Sequence, residues 1–115
     1  MNEQLKAISK LDRVIHEPSR LMIISVLWAI KECDFLYLLH ETKMNKGNLS
    51  CHLTRLEAAN YIKIEKTYRG KVPKTLLCLT RIGRTAFDRY CKNLKIAFNP
   101  DFEKTPKKTI PPIPH

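Results

Sequence analysis

Lys46, Gly47, Asn48, Ser50, Cys51, Thr54 and Arg55 fall within ten positions, and Lys66, Arg69, Lys71 and Lys74 fall within nine more around Gly70. The first set mixes small residues, hydrogen-bonding side chains and cations with no acid among them. Amide, hydroxyl and guanidinium groups at that spacing can bond base edges or phosphates, while glycine and cysteine let a backbone come close to a surface. The second set is almost pure positive charge beside a glycine. Its natural counterpart is a polyanion, because each phosphate neutralised releases condensed counterions.

Bond-making chemistry finds no comparable set. The four cysteines, Cys33, Cys51, Cys78 and Cys91, are 18, 27 and 13 positions apart and form no C-x-x-C pair. His16, His40, His52 and His115 form no H-x-x-x-H spacing. Zinc sites and dithiol redox centres depend on such spacings, so neither a metal nor another cofactor is expected. Ordinary thiols are the plain reading of the cysteines, and an oxidant-sensing thiol is the alternative left open. No nucleophile with its base, carboxylate pair or phosphate loop stands out, and an enzyme is not expected.

Charge is distributed unevenly. The chain carries 21 Lys and Arg against 11 Asp and Glu, a formal +10. Residues 1–42 hold five basic and six acidic residues, net −1, whereas residues 43–84 hold ten basic and two acidic, net +8. The longest apolar run, "LMIISVLWAI", is about half the roughly 18 to 20 residues a membrane span needs. The opening "MNEQLKAISKLDR" has no apolar signal core. The expected location is therefore the cytoplasm, without membrane association.

The elements that must position the two clusters follow from periodicity. Leu5, Ile8, Leu11 and Ile15 recur at helical steps, predicting a helix over 3–15 with Asn2 as its cap. "HEPSRLMIISVLWAIKE" places Pro18 in the first turn of a second, central helix. Asp34 caps a short third helix, "FLYLLHET", expected to bury Phe35 and Leu39. After "KMN", Asn45 caps a fourth helix over "KGNLSCHLTRLEAA". At about 100° per residue, Leu49, Leu53 and Leu56 stack toward a core and leave the first cluster on the opposite side. His52 lies beside the core stripe, suited to packing or to a phosphate hydrogen bond.

The period then changes from 3.6 to 2. "YIKIEKTY" and "KTLLCL" read as strands joined by "RGKVP", with Gly70 supplying the turn and Pro73 kept to a strand margin. Thr80 caps a last helix, "RIGRTAFDRYCKNLKIAF", striped by Phe87, Tyr90, Leu94 and Ala97 or Phe98. The expected fold is mainly α with a small β-hairpin, a winged helix-turn-helix. It occupies one domain over 1–98, followed by a Pro-rich, disordered tail over 99–115 that contains five of the seven prolines.

On "LDRVIHEPSRLMIISVL", "NKGNLSCHLTRLEAANYIKIEK" and "RGKVPKTLLCLTRIGRTAFDRY" the chain resembles the small winged-helix transcription regulators of the MarR and ArsR kind, over residues 10–98. Asn60 departs from their pattern, which has glycine before the tyrosine, but asparagine tolerates the left-handed conformation of a helix end. The resemblance implies binding of double-stranded DNA by a homodimer, expected to act as a repressor. Its dimer contacts would come from the terminal helices, here Leu5, Ile8 and Leu11 with Phe87, Tyr90 and Leu94. It names no small-molecule effector, and the metal-binding cysteine motif of the arsenic-responsive members is absent from "DFLYLLHE". The alternative is a winged helix whose basic hairpin serves a protein partner or structured RNA.

Overall fold

A computed structural model describes residues 2–99, so all of the expected tail except Asn99 lies outside the described residues. In chain order the elements are α1 (Glu3–Ser9), α2 (Pro18–Ala29), β1 (Glu32–Asp34), α3 (Phe35–Thr42), α4 (Lys46–Ala58), β2 (Ile62–Arg69), β3 (Val72–Leu79) and α5 (Arg81–Ala97). This is the winged-helix order. The core joins every layer: Ile15, Ile23, Ile24, Leu27, Leu38, Leu49, Leu56 and Leu77 have no exposed surface. Each such side chain contributes about 1.5–3 kcal/mol by leaving water.

Helix starts follow their caps. Asn2, Asp34, Asn45 and Thr80 each accept a hydrogen bond from the backbone N–H three residues on. Asn60 and Gly70 are left-handed, with φ of 63° and 65°. At Asn60 the geometry is a Schellman close: Tyr61 N–H reaches the Leu56 carbonyl and Asn60 N–H the Glu57 carbonyl. At Gly70 a positive φ in the first position of a two-residue connection is what a type II′ hairpin turn requires.

Three expectations are corrected and one alternative, Ala97 or Phe98, is decided. The first helix ends at Ser9, not at residue 15. The Asp12 carboxylate accepts from the N–H groups of Val14 and Ile15 at 2.8 and 3.2 Å, which turns the chain and drives Ile15 into the core. Leu38, not Phe35 or Leu39, is the fully buried residue of α3; the other two are half-buried against the core. At the end of α5, Ala97 is buried and Phe98 exposed. The hairpin also gains a third strand. β1 pairs antiparallel with β3 through Glu32–Cys78, Cys33–Leu77 and Asp34–Leu76, giving the order β1-β3-β2. Three residues are too few for a period to be visible. Because β1 stops opposite Leu76, Pro73 lies where β3 has no neighbour on that side, as a strand proline requires.

Candidate nucleic-acid interface

α3 and α4 form the helix-turn-helix, joined by Lys43, Met44 and Asn45, with Lys43 left-handed at φ 57°. On α4 the sorting is complete: Leu49, Leu53 and Leu56 are buried, while Lys46, Gly47, Asn48, Ser50, Cys51, Thr54 and Arg55 are all exposed. Thr54 donates its hydroxyl hydrogen to the Ser50 carbonyl at 2.9 Å. Toward a groove it therefore offers a methyl group and oxygen lone pairs, but no donor. Lys46, Asn48, Ser50 and Arg55 supply the donors.

His52 turns away from that face. Its Nδ1 lies 3.2 Å from the guanidinium of Arg20 and 3.7 Å from a Glu17 carboxylate oxygen. Arginine can only donate, so Nδ1 accepts and the neutral ring carries its proton on Nε2. Arg20, nearly buried, also donates to the carbonyls of Val14, at 2.5 Å, and Arg13. Burial alone would raise the Glu17 carboxyl, but the backbone N–H groups of Arg20 and Ser19, the His52 ring when it is protonated and the Arg20 guanidinium hold it below its usual value. The recognition helix is thus fastened to the α1–α2 connection through polar groups. Tyr61 adds a second fastening by donating its hydroxyl to Asp12. Sequence reasoning missed both links. The one legible hint was Glu17 before a helix-starting proline, and it caps α2 by accepting from Arg20 N–H at 2.8 Å.

The hairpin divides its charges between two faces. Lys66 and Tyr68 stand opposite Thr75 and Pro73, on the face that Ile62, Ile64, Leu77 and Leu79 turn toward the core. Thr67 and Arg69 stand opposite Lys74 and Val72 on the other face. Lys74 is held 3.4 Å from Asp34, and both are half-buried. Among the described residues, Lys46, Arg55, Lys66, Arg69 and Lys71 have no carboxylate within ion-pair range. The basic hairpin tip is Lys66, Arg69 and Lys71; Lys74 braces its root.

At the other end of the molecule, α1 packs along α5. Leu11, Phe87 and Tyr90 are covered within the chain itself, with Tyr90 Oη 2.8 Å from Nδ1 of His16, and Leu94 is half-buried. Leu5 and Ile8 are open, 52% and 44% exposed, as are Ile96 and Phe98. No helix among the described residues is long and apolar enough to cross a membrane, and no cluster of three potential metal ligands occurs among them.

The chain is 32% identical over 79 residues to an uncharacterized protein of Methanocaldococcus jannaschii, covering 68% of this chain and 85% of that one. Among solved structures it is similar to a transcriptional regulator homologue from Pyrococcus horikoshii OT3, at 28% identity and a TM-score of 0.74, over 82% of this chain and 92% of the other. A MarR-family transcriptional regulator from Silicibacter pomeroyi shares the fold at 15% identity and a TM-score of 0.59, over 93% and 70% of the two chains. The sequence pattern of the winged helix DNA-binding domain matches residues 19–97, from the start of α2 to the end of α5. An exposed recognition face and a basic hairpin on that framework point to a DNA-binding regulator and not to an enzyme, and the chain belongs to the winged helix DNA-binding domain family.

Proposed function

We propose that this chain is a homodimeric, sequence-specific repressor that lays α4 in the major groove of duplex DNA and its hairpin on the adjacent minor groove or backbone. The observation that carries this reading is the outer face of α4. Seven small, polar or cationic side chains are exposed there, over a leucine stripe that fixes the helix to the core. Asn48 and Arg55 have the donors to read base edges, and Thr54 has a methyl group suited to thymine. Lys66, Arg69 and Lys71 would hold phosphates. Dimerisation would use the open α1 side chains Leu5 and Ile8 with Ile96 and Phe98 from the end of α5, and two-fold symmetry would set the recognition helices about 34 Å apart. Bound over a promoter, such a dimer blocks transcription by occupancy. Four unpaired thiols suit a reducing compartment, the cytoplasm.

The test is a gel shift of genomic duplex fragments over a range of salt. Neutralising roughly six to eight phosphates per dimer gives a slope of log K on log salt near −5 to −7. A slope shallower than about −2 on every duplex defeats the phosphate role. Preference for structured RNA, or capture of a protein with no duplex shifted, supports the alternative partner class instead.

A further inference from the structure

Tyr68 is the most open large hydrophobic side chain among the described residues, 71% exposed, and it stands at the hairpin tip beside Arg69, Gly70 and Lys71. Three observations make it more than a stray surface aromatic. Its face of the hairpin continues the face whose Ile62, Ile64, Leu77 and Leu79 join the hydrophobic core, so Tyr68 and Lys66 project on the core-facing side of the sheet, beyond the point where the core covers it. Directly opposite it is Pro73, whose ring has a fixed backbone angle and offers an apolar prop to the phenol. Its hydroxyl has no hydrogen-bond partner among the described residues.

We infer that Tyr68 is a DNA contact, with its ring against the deoxyribose wall of the minor groove flanking the major-groove site and its hydroxyl bonded to a backbone phosphate. The inference rests on the DNA-binding reading above and adds a residue that charge alone does not single out. Charge complementarity selects the occupant. Lys66 shares the face, Arg69 and Lys71 frame the turn, and none has a carboxylate partner among the described residues, so a polyanion is the ligand this tip can hold close. An aromatic ring amid such cations gains contact with sugar without the desolvation that burying a charge would bring. Proline opposite limits the motion of the hairpin and thereby the entropy lost when the ring is ordered.

The experiment uses the full chain with a short, fluorescently labelled duplex of mixed sequence, titrated at several salt concentrations. Tyr68→Ala, Tyr68→Phe and Lys66→Ala are compared with the unaltered protein. Tyr68→Ala should weaken binding about 10-fold with the salt slope unchanged, because no charge is lost. Tyr68→Phe should fall between the two proteins. Lys66→Ala should weaken binding and, with one cation lost from each subunit of the dimer, make the slope shallower by about 1.8. Hydroxyl-radical footprints should lose protection at the flanks in Tyr68→Ala and keep it at the centre. Melting temperatures should not move, since the side chain touches no core residue. If the unaltered chain binds with a steep slope while Tyr68→Ala matches it in affinity and footprint, the Tyr68 assignment is overturned and the DNA-binding reading stands. If the unaltered chain binds no duplex, both fall.

Discussion

Helix α4 and the β2–β3 hairpin carry the two halves of the candidate interface, and they present their side chains in opposite ways. α4 is anchored along its whole length. A buried leucine recurs every three or four residues, so each outward side chain has a fixed bearing. The hairpin is anchored only at its root, where Ile62, Leu77 and Leu79 are buried and Lys74 is tied to Asp34; beyond Thr67 and Lys74 its residues are exposed. A rigid face suits discrimination between bases, whereas a tip anchored at one end suits a uniform backbone. The difference predicts specificity from the helix and affinity from the hairpin.

The largest expected effect breaks both regions at once. A Cβ at Gly83 would sit 2.0 Å from the carbonyl oxygen of Tyr61 and 2.8 Å from its carbon, backbone that cannot step aside. That carbonyl accepts from Thr80 N–H at 3.0 Å and belongs to the junction between α4 and β2. Gly83→Ala should therefore cost about 3 kcal/mol or more in urea unfolding, with operator and random-duplex binding lost together. An unchanged midpoint would mean that the junction yields, and that helix and hairpin are less firmly joined than they look.

Sharper division is expected from the surface. Asn48→Ala should cost about 1–3 kcal/mol on a cognate duplex and almost nothing on random DNA. Arg69→Ala with Lys71→Ala should weaken both duplexes alike and, with four cations lost per dimer, flatten the salt slope by about 3.6. Paired titrations decide: operator-only loss from the hairpin variant, or equal losses from Asn48→Ala, would erase the contrast drawn between the two regions.

Most of this contrast was legible in the sequence, because period and cap coincide there. Leu49, Leu53 and Leu56 with Asn45 define α4, and the switch to Ile62 and Ile64 announces the hairpin. Other features depend on residues distant in the chain. β1 exists because Glu32, Cys33 and Asp34 find β3 some forty residues later, and Arg20 meets His52 across 32. Even so, Tyr68 was within reach. Continuing the alternation from Ile64 through Lys66 puts it on the core-facing side of the sheet.

Titration separates the regions more gently. Burial and the Asp12 carboxylate that accepts its proton push the Tyr61 hydroxyl up to about 12, and burial with Asp34 and Glu32 pushes the Cys33 thiol up to about 11. Both groups are more acidic in the unfolded chain. Their stabilisation is full below those ordinary values and is lost as pH rises through the folded ones. Thermal stability should thus decline between about pH 9 and 12, and Tyr61→Phe should blunt the upper part of that decline. By the same account, iodoacetamide near neutral pH should label exposed Cys51 ahead of Cys33 and Cys91, whose thiol burial also raises. Labelling at Cys51 should abolish operator binding. Cys33 reacting first would show that the root of the sheet opens more readily than the helix face.

The smallest effect concerns the joint between the two regions. Asn60 holds φ 63° at the end of α4, and glycine would occupy that conformation without strain. Asn60→Gly should leave stability within about 1 kcal/mol of the parent, on the favourable side, with both kinds of DNA binding intact.

The packing of α1 along α5 also sets an order of events during synthesis. Residues 18–79 contain the helix-turn-helix and the hairpin, and they emerge from the ribosome with their partners close behind them. α1 is made first but cannot dock until α5, almost the last described element, has followed. At roughly 5–20 residues per second that delay is on the order of ten seconds. Through it Leu5 and Ile8 ride on an unattached arm while the helix-turn-helix and hairpin are already taking shape. Pairing of two chains through that arm, as proposed above, would have to wait until α1 has docked on α5.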